Sequence, residues 1–211
     1  MLMKYKHLFW DFDGTLYNSY PQIIQALQRT MAENGLPIPS AAEALPLLKH
    51  SVFYSVSHFA NLFGMDTDTL MQCFRRQHAM ETDFPPYEGL GDCLKVLADA
   101  GCSHYLYTHR DRLAIDLLKR DGLWHLFAGA VTSDDGFPHK PAPDALLSLA
   151  KRFRLEPGEC IMIGDRSIDI ESARNAGMDG AVFDPEGAYF GPEVQIKASS
   201  MAQLAEKIIN A

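Results

Sequence analysis

From about residue 90 onward, short apolar runs alternate with stretches of helical period, and this alternation leaves few architectures open. The strand-like runs fall at 103–107, 129–132, 160–163 and 180–183. Between them lie helical patterns at 90–100, 112–120, 142–154 and 168–176, and a last one carries Met201, Leu204, Ile208 and Ile209. A further apolar run at 7–12 precedes them all, ends in carboxylates and is broken by Asp13-Gly14. Strands that alternate with helices build βαβ units, which means a parallel sheet with helices on both faces. The predicted fold class is α/β, a doubly wound parallel sheet of about five strands.

One interval breaks the alternation. From 19 to 83 the pattern is helical only, with Ile23, Leu27 and Met31 four apart and Val52, Val56, Phe59 and Phe63 forming a second stripe. Ser19 before Pro21 marks a helix start, Gly35 with Pro37 and Pro39 separates the first two helices, and Gly64-Met65-Asp66 separates later ones. The aromatic residues Phe53, Tyr54, Phe59 and Phe63 are expected in the interior of this segment. Phe84-Pro85-Pro86-Tyr87 closes it stiffly. The expected organisation is a Rossmann-like core from 1–18 and 84–211, with an all-helical insert at 19–83.

A net charge of −8 argues against a nucleic-acid backbone or an anionic membrane as the partner. No apolar run approaches the length of a membrane span. The segment Met1-Leu2-Met3-Lys4-Tyr5-Lys6 reaches Asp11 too soon for a signal peptide. Cys73, Cys93, Cys102 and Cys160 form no CxxC pair and no metal-ligand spacing, so they read as apolar side chains in a reducing compartment. The expected location is the cytoplasm, as a monomer or homodimer.

In a doubly wound sheet, ligands bind at the carboxyl ends of the strands. The first strand ends in Asp11 and Asp13, and the second in Thr108. Asp134, Asp135 and then Lys140 follow the third, and the fourth runs into Gly164-Asp165 with Asp169 four residues on. Every strand except the last delivers a polar group to one rim. Asp134 and Asp135 read as loop carboxylates. Asp11, Asp13, Asp165 and Asp169 crowded together would repel one another, and Lys140 alone cannot offset them. A hard divalent cation can, and an all-oxygen ligand set favours magnesium. Metal and Lys140 together make a locally positive site that suits a phosphate.

The Asp-x-Asp spacing places two carboxylates toward one face of a strand, where both can flank a phosphorus atom. One can attack to form an aspartyl-phosphate, and the other can protonate the leaving oxygen and then take a proton from the hydrolytic water. Backbone amides at the turn of Gly14 and Thr15 can face phosphate oxygens.

At these residues the chain resembles the haloacid dehalogenase-like hydrolase superfamily, in its capped, phosphoglycolate phosphatase-like branch. The resemblance rests on Asp11-Phe12-Asp13-Gly14-Thr15-Leu16, on Thr108, on Lys140-Pro141-Ala142-Pro143-Asp144, and on Gly164-Asp165-Arg166-Ser167-Ile168-Asp169 with the stretch to Gly177. It implies Asp11 as nucleophile and metal ligand, and Asp13 as general acid/base whose backbone carbonyl also meets the metal. It further implies Thr108 and Lys140 on the phosphoryl group, Asp165 as a direct magnesium ligand, and Asp169 as a direct or water-mediated one. The implied substrate is a small phosphorylated metabolite. His109 stands where Asn is common, Asn18 where an acid is common, and His139 where Gly is common, so a particular substrate does not transfer.

His109 and Arg110, at the rim, are candidates for substrate contact, as are Lys49 and His50 (with Ser51) in the helical insert. Two alternatives share the scaffold. A phosphoglucomutase-like transferase would need groups that shield the intermediate from water, and none is recognisable. Among non-catalytic binding modules, a receiver-type domain would carry its phosphorylated Asp at the end of the third strand and lack a large insert after the first, and the full catalytic set weighs against a protein that merely kept the fold.

Overall fold

The computed structural model describes residues 3–211; Met1 and Leu2, the first residues of the segment read as too short for a signal peptide, lie outside the described residues. Along the chain, β1 (His7–Trp10) precedes four helices: α1 (Tyr20–Glu33), α2 (Ala41–His50), α3 (Val52–Phe63) and α4 (Thr67–His78). There follow α5 (Leu90–Asp99), β2 (Ser103–Tyr107), α6 (Leu113–Arg120), β3 (Phe127–Val131) and α7 (Asp144–Phe153). The chain ends with β4 (Cys160–Gly164), α8 (Ser167–Asn175), β5 (Asp179–Phe183), β6 (Ile196–Ala198) and α9 (Met201–Ile209).

The described residues form two compact units, one up to Tyr17 and from Pro86 to Ala211, the other Asn18–Pro85. The first is the α/β unit, and its fold class is the one expected. Its strands are all parallel, in the order β3-β2-β1-β4-β5-β6. The expected five strands are six, because the three-residue β6 adds to β5 at the edge. Chain order reverses at β1, between β2 and β4, so the switch point lies where β1 and β4 end.

The side chains of β1 and its neighbours are buried on both faces, as a parallel sheet requires. On one face Phe9, Tyr105, Tyr107 and Met162 pack against Leu146 and Leu149 of α7 and Ala173 of α8. On the other, His104 is buried and reaches the Leu94 carbonyl of α5 at 3.0 Å.

The second unit is helical throughout. Ile23, Leu27 and Met31 of α1 join Leu48, Val56, Phe59 and Leu70 in one core. Its helices are cut by their caps. Ser40 and Glu43 form a reciprocal capping box on α2, Ser51 accepts from the Tyr54 N–H, and Asp66 accepts from the Thr69 N–H. Gly64 ends α3 at φ 68°, a left-handed cap that glycine adopts without strain. Ser19 precedes α1 but its side chain makes no cap bond, so Pro21 in the first turn carries that start. Phe53 and Tyr54 correct an expectation. Both are exposed, because a helix turns about 100° per residue and carries them off the face of Val56 and Phe59.

All four cysteines are buried thiols with no disulfide. Among the described residues no helix is long and apolar enough to cross a membrane.

Candidate active site

The site is built in the α/β unit where β1 and β4 stop. The Asp11 N–H still donates to the Ile163 carbonyl at 2.9 Å, one residue past the end of β1, so the sheet itself fixes the Asp11 backbone. Gly14, at φ 74°, then turns the chain back so that its N–H donates to Tyr17. This turn separates the two carboxylates of the Asp-x-Asp pair. Asp11 is buried, whereas the Asp13 side chain keeps 24% of its surface exposed. Thr15, on the same turn, is fully buried.

Lys140 arrives from the loop before α7 and is buried with Asp11 and Asp169. Its ammonium donates to Asp11 Oδ1 at 2.8 Å, to Asp169 Oδ1 at 2.8 Å and to the Tyr107 carbonyl at 3.0 Å. All three of its protons are thereby used. Burial works against its charge, yet the two carboxylates outweigh burial and hold the lysine above its ordinary pKa. Asp169 is also held by the Arg166 N–H at 3.1 Å. Burial would raise Asp169, but Lys140 and Arg166 overcome it and keep the carboxyl below its usual range. Asp11 takes the opposite course. Burial pushes it up to about 7, with Lys140 only partly offsetting this.

The chemistry of a cation site follows from this imbalance. Asp11, Asp165 and Asp169 are buried and each offers a carboxylate oxygen within 4.8 Å of the others. Asp11 Oδ2 is buried without a hydrogen bond, and the Arg166 guanidinium stands 3.8 Å from it. An all-oxygen set with surplus negative charge fits a hard divalent ion. Arg166 carries a signal that sequence reasoning passed over: it lies between two of the aspartates, and its Nε approaches Asp165 at 4.0 Å.

Thr108 directly follows β2 and is buried, its hydroxyl oxygen accepting from the Arg110 N–H at 3.0 Å, which leaves the hydroxyl proton to point elsewhere. Arg110 itself grips Asp13, with Nε 3.1 and 3.0 Å from the two oxygens and Nη2 2.6 Å from Oδ1. His109 turns to the loop of Lys140 and its Nε2 accepts from the Lys140 N–H at 2.8 Å. Burial, with help from Lys140, lowers its pKa to about 3, so the ring is a neutral brace. A cavity of about 290 Å³ opens beside Thr108, lined among others by His109, Thr132, Phe137 and His139.

The remaining candidates are placed differently. Asp134 accepts from the Arg112 N–H and Asp135 from the Thr132 N–H, so both cap loops. Lys49 and His50 belong to the helical unit, where the Lys49 ammonium lies 5.2 Å from the Tyr20 ring centre and His50 stacks on Tyr54. The last long strand, β5, expected to bring nothing, is followed by buried Asp184. That carboxylate accepts from the Ala188 and Tyr189 N–H groups and pairs with Lys197 at 2.9 Å, which makes it a turn holder.

Residues 8–183 match the profile of the family described as haloacid dehalogenase-like hydrolase. The chain belongs to that family. It is 29% identical over 175 residues to a phosphoglycolate phosphatase of Xanthomonas campestris pv. campestris, covering 81% of this chain and 79% of that protein. It is 32% identical over 176 residues, with the same coverage, to the pyrophosphatase PpaX of Bacillus pumilus. A solved structure from Lactobacillus delbrueckii subsp. bulgaricus superimposes with a TM-score of 0.81 at 20% identity, over 99% of this chain and 100% of that one, and so shares the fold.

Proposed function

We propose that the protein is a magnesium-dependent phosphatase that hydrolyses a small phosphate monoester through an aspartyl-phosphate on Asp11. The observation that carries this reading is the buried bridge from Lys140 to Asp11 and Asp169, beside a third carboxylate on Asp165. Relatives named as phosphatases on two different substrates support the reaction class and leave the substrate open.

Asp11, Asp165 and Asp169, with the Asp13 carbonyl, would hold the ion. When bound, it would neutralise the surplus carboxylate charge and draw the phosphoryl oxygens in. Lys140 orients Asp11 through Oδ1 and favours its ionised form against the effect of burial. An Asp11 oxygen bonds to phosphorus as the ester P–O bond breaks, and Asp13 gives its proton to the leaving oxygen. Water then attacks the phosphoryl group and passes a proton to Asp13, which frees Asp11 and inorganic phosphate. Thr108 donates its hydroxyl proton to a phosphoryl oxygen, and the amides of Gly14 and Thr15 add to this. His109 holds the Lys140 loop at the right distance.

Choice of substrate is assigned to the helical unit, with Lys49 and His50 as its candidate groups, and to the wall of the cavity beside Thr108. The working location is the cytoplasm.

Release of inorganic phosphate from a panel of phosphate esters, with magnesium or with chelator, tests the reading. Hydrolysis is expected only with metal, and Asp11→Asn abolishes it. A protein that hydrolyses no ester in magnesium refutes it, and isomerisation of a sugar phosphate without phosphate release would establish a mutase instead.

A further inference from the structure

We infer that Arg110 is a positioning residue for Asp13: it holds the carboxylate idle in the resting protein and yields it when the phosphoryl group of a substrate takes the guanidinium. This inference rests on the phosphatase reading, in which Asp13 is the acid/base.

The geometry at Asp13 is the starting point. A general acid must turn one oxygen, carrying a proton, to the leaving group. Arg110 meets both Asp13 oxygens, at 2.6 to 3.1 Å, in the fork arrangement that favours an ionised carboxylate. While that grip lasts, neither oxygen is available to the ester. Catalysis therefore requires the pair to part.

Exposure shows where the competitor comes from. The side chains of Asp11, Asp165 and Asp169 are 1%, 0% and 0% exposed, while Asp13 keeps 24%. Three aspartates are thus enclosed, while the fourth is open to solvent and its partner Arg110 is 8% exposed, so an entering anion meets the pair from the Asp13 side.

The guanidinium is also well rooted for an exchange. Its backbone N–H is tied to the hydroxyl oxygen of Thr108, so the fork and that hydroxyl spring from a single turn after β2. The Phe12 ring lies 5.8 Å from the guanidinium carbon and gives it an apolar floor. A guanidinium fork matches a phosphoryl group as well as a carboxylate, and the phosphoryl group brings more charge. Substrate that takes the fork releases Asp13, which takes a proton from solvent once it is no longer paired and turns to the leaving oxygen, so binding is coupled to the arrival of the acid.

The test is a double-mutant cycle read by calorimetric binding of inorganic phosphate in magnesium. Asp13→Asn is expected to tighten phosphate binding about tenfold when Arg110 is present, because the fork is set free. In the Arg110→Ala background the same change alters affinity by less than about threefold. Arg110→Ala alone weakens phosphate binding, and Arg110→Lys restores part of the loss by returning the charge. Equal tightening in both backgrounds, or an Arg110→Ala protein that binds phosphate like the parent, overturns the exchange. Ester hydrolysis by the unaltered protein separates the two ideas. No turnover on any ester removes the phosphatase reading, while the cycle still reports whether Arg110 passes from Asp13 to phosphate.

Discussion

Gly164 is packed against the side chain of Asp169 so closely that a Cβ on the glycine would lie 2.3 Å from the Asp169 Cγ. Asp169 cannot move aside freely, since Lys140 and the Arg166 N–H hold its two oxygens. The last residue of β4 thus sets the position of a candidate metal ligand.

Gly164→Ala is therefore expected to displace Asp169. Overpacking of this kind costs roughly 1–3 kcal/mol of stability. Magnesium affinity falls at least about tenfold, as loss of orientation at a ligand does. Thermal melting and magnesium calorimetry check both effects. Gly158→Ala is the control, since nothing lies within 4 Å of its added carbon and its melting temperature stays near that of the parent.

Removing Lys140 tests the buried bridge. Lys140→Met leaves Asp11 and Asp169 facing each other in a closed site without their shared cation. Breaking such a pair costs about 3–5 kcal/mol, and the loss of its charge lowers kcat by about a hundredfold or more. Added magnesium recovers part of the stability, because it supplies the missing positive charge, and little of the rate. A variant that melts and turns over like the parent would contradict the bridge.

Arg166 points the other way. Its guanidinium stands 3.8 Å from Asp11 Oδ2 and approaches Asp165, on oxygens that would face the ion. Long ion pairs of this kind contribute about 1 kcal/mol. Arg166→Ser should lower the melting temperature in chelator and raise magnesium affinity several-fold. Weaker magnesium binding would instead mean that Arg166 keeps the carboxylates in ligating positions.

The parallel core and the rim residues were legible because strand ends can be read from period and from Gly and Asp punctuation. Asp11, Thr108 and Asp165 each follow a strand, and Lys140 and Asp169 lie in or just after the connections that leave β3 and β4. What escaped was whatever depends on packing. The three residues of β6 are too few to show a period, and they become a strand only because β5 offers them an edge. Phe53 and Tyr54 read as core by aromatic character, but their angle around α3 turns them to solvent. Arg110 and Asp13 are 97 positions apart, and no local pattern could announce their clasp. Arg166 is set apart by its place within 4.0 Å of both Asp11 and Asp165, which the sequence does not display.

His104 supplies a pH dependence remote from the metal ligands. Trp10 Nε1 donates to its Nδ1 at 3.0 Å, so the ring proton sits on Nε2 and meets the Leu94 carbonyl at 3.0 Å. Protonation would put a second hydrogen where Trp10 already donates, inside a fully buried layer. Burial accordingly lowers the pKa to about 4 from 6.5, although the Leu94 bond works weakly against it. The unfolded chain binds this proton more readily than the folded one, so stability rises with pH across that interval. The contribution is complete above pH 6.5 and fades as pH falls toward 4, by about 3 kcal/mol in all. His104→Gln can keep both hydrogen bonds, with its amide oxygen accepting from Trp10 and its nitrogen donating to Leu94, and it does not titrate. Urea unfolding of parent and variant at pH 7.5 and at pH 4.5 is the measurement. The gap between them should shift in favour of His104→Gln at the lower pH, and a gap that does not change with pH would show that His104 is not the neutral group this packing requires.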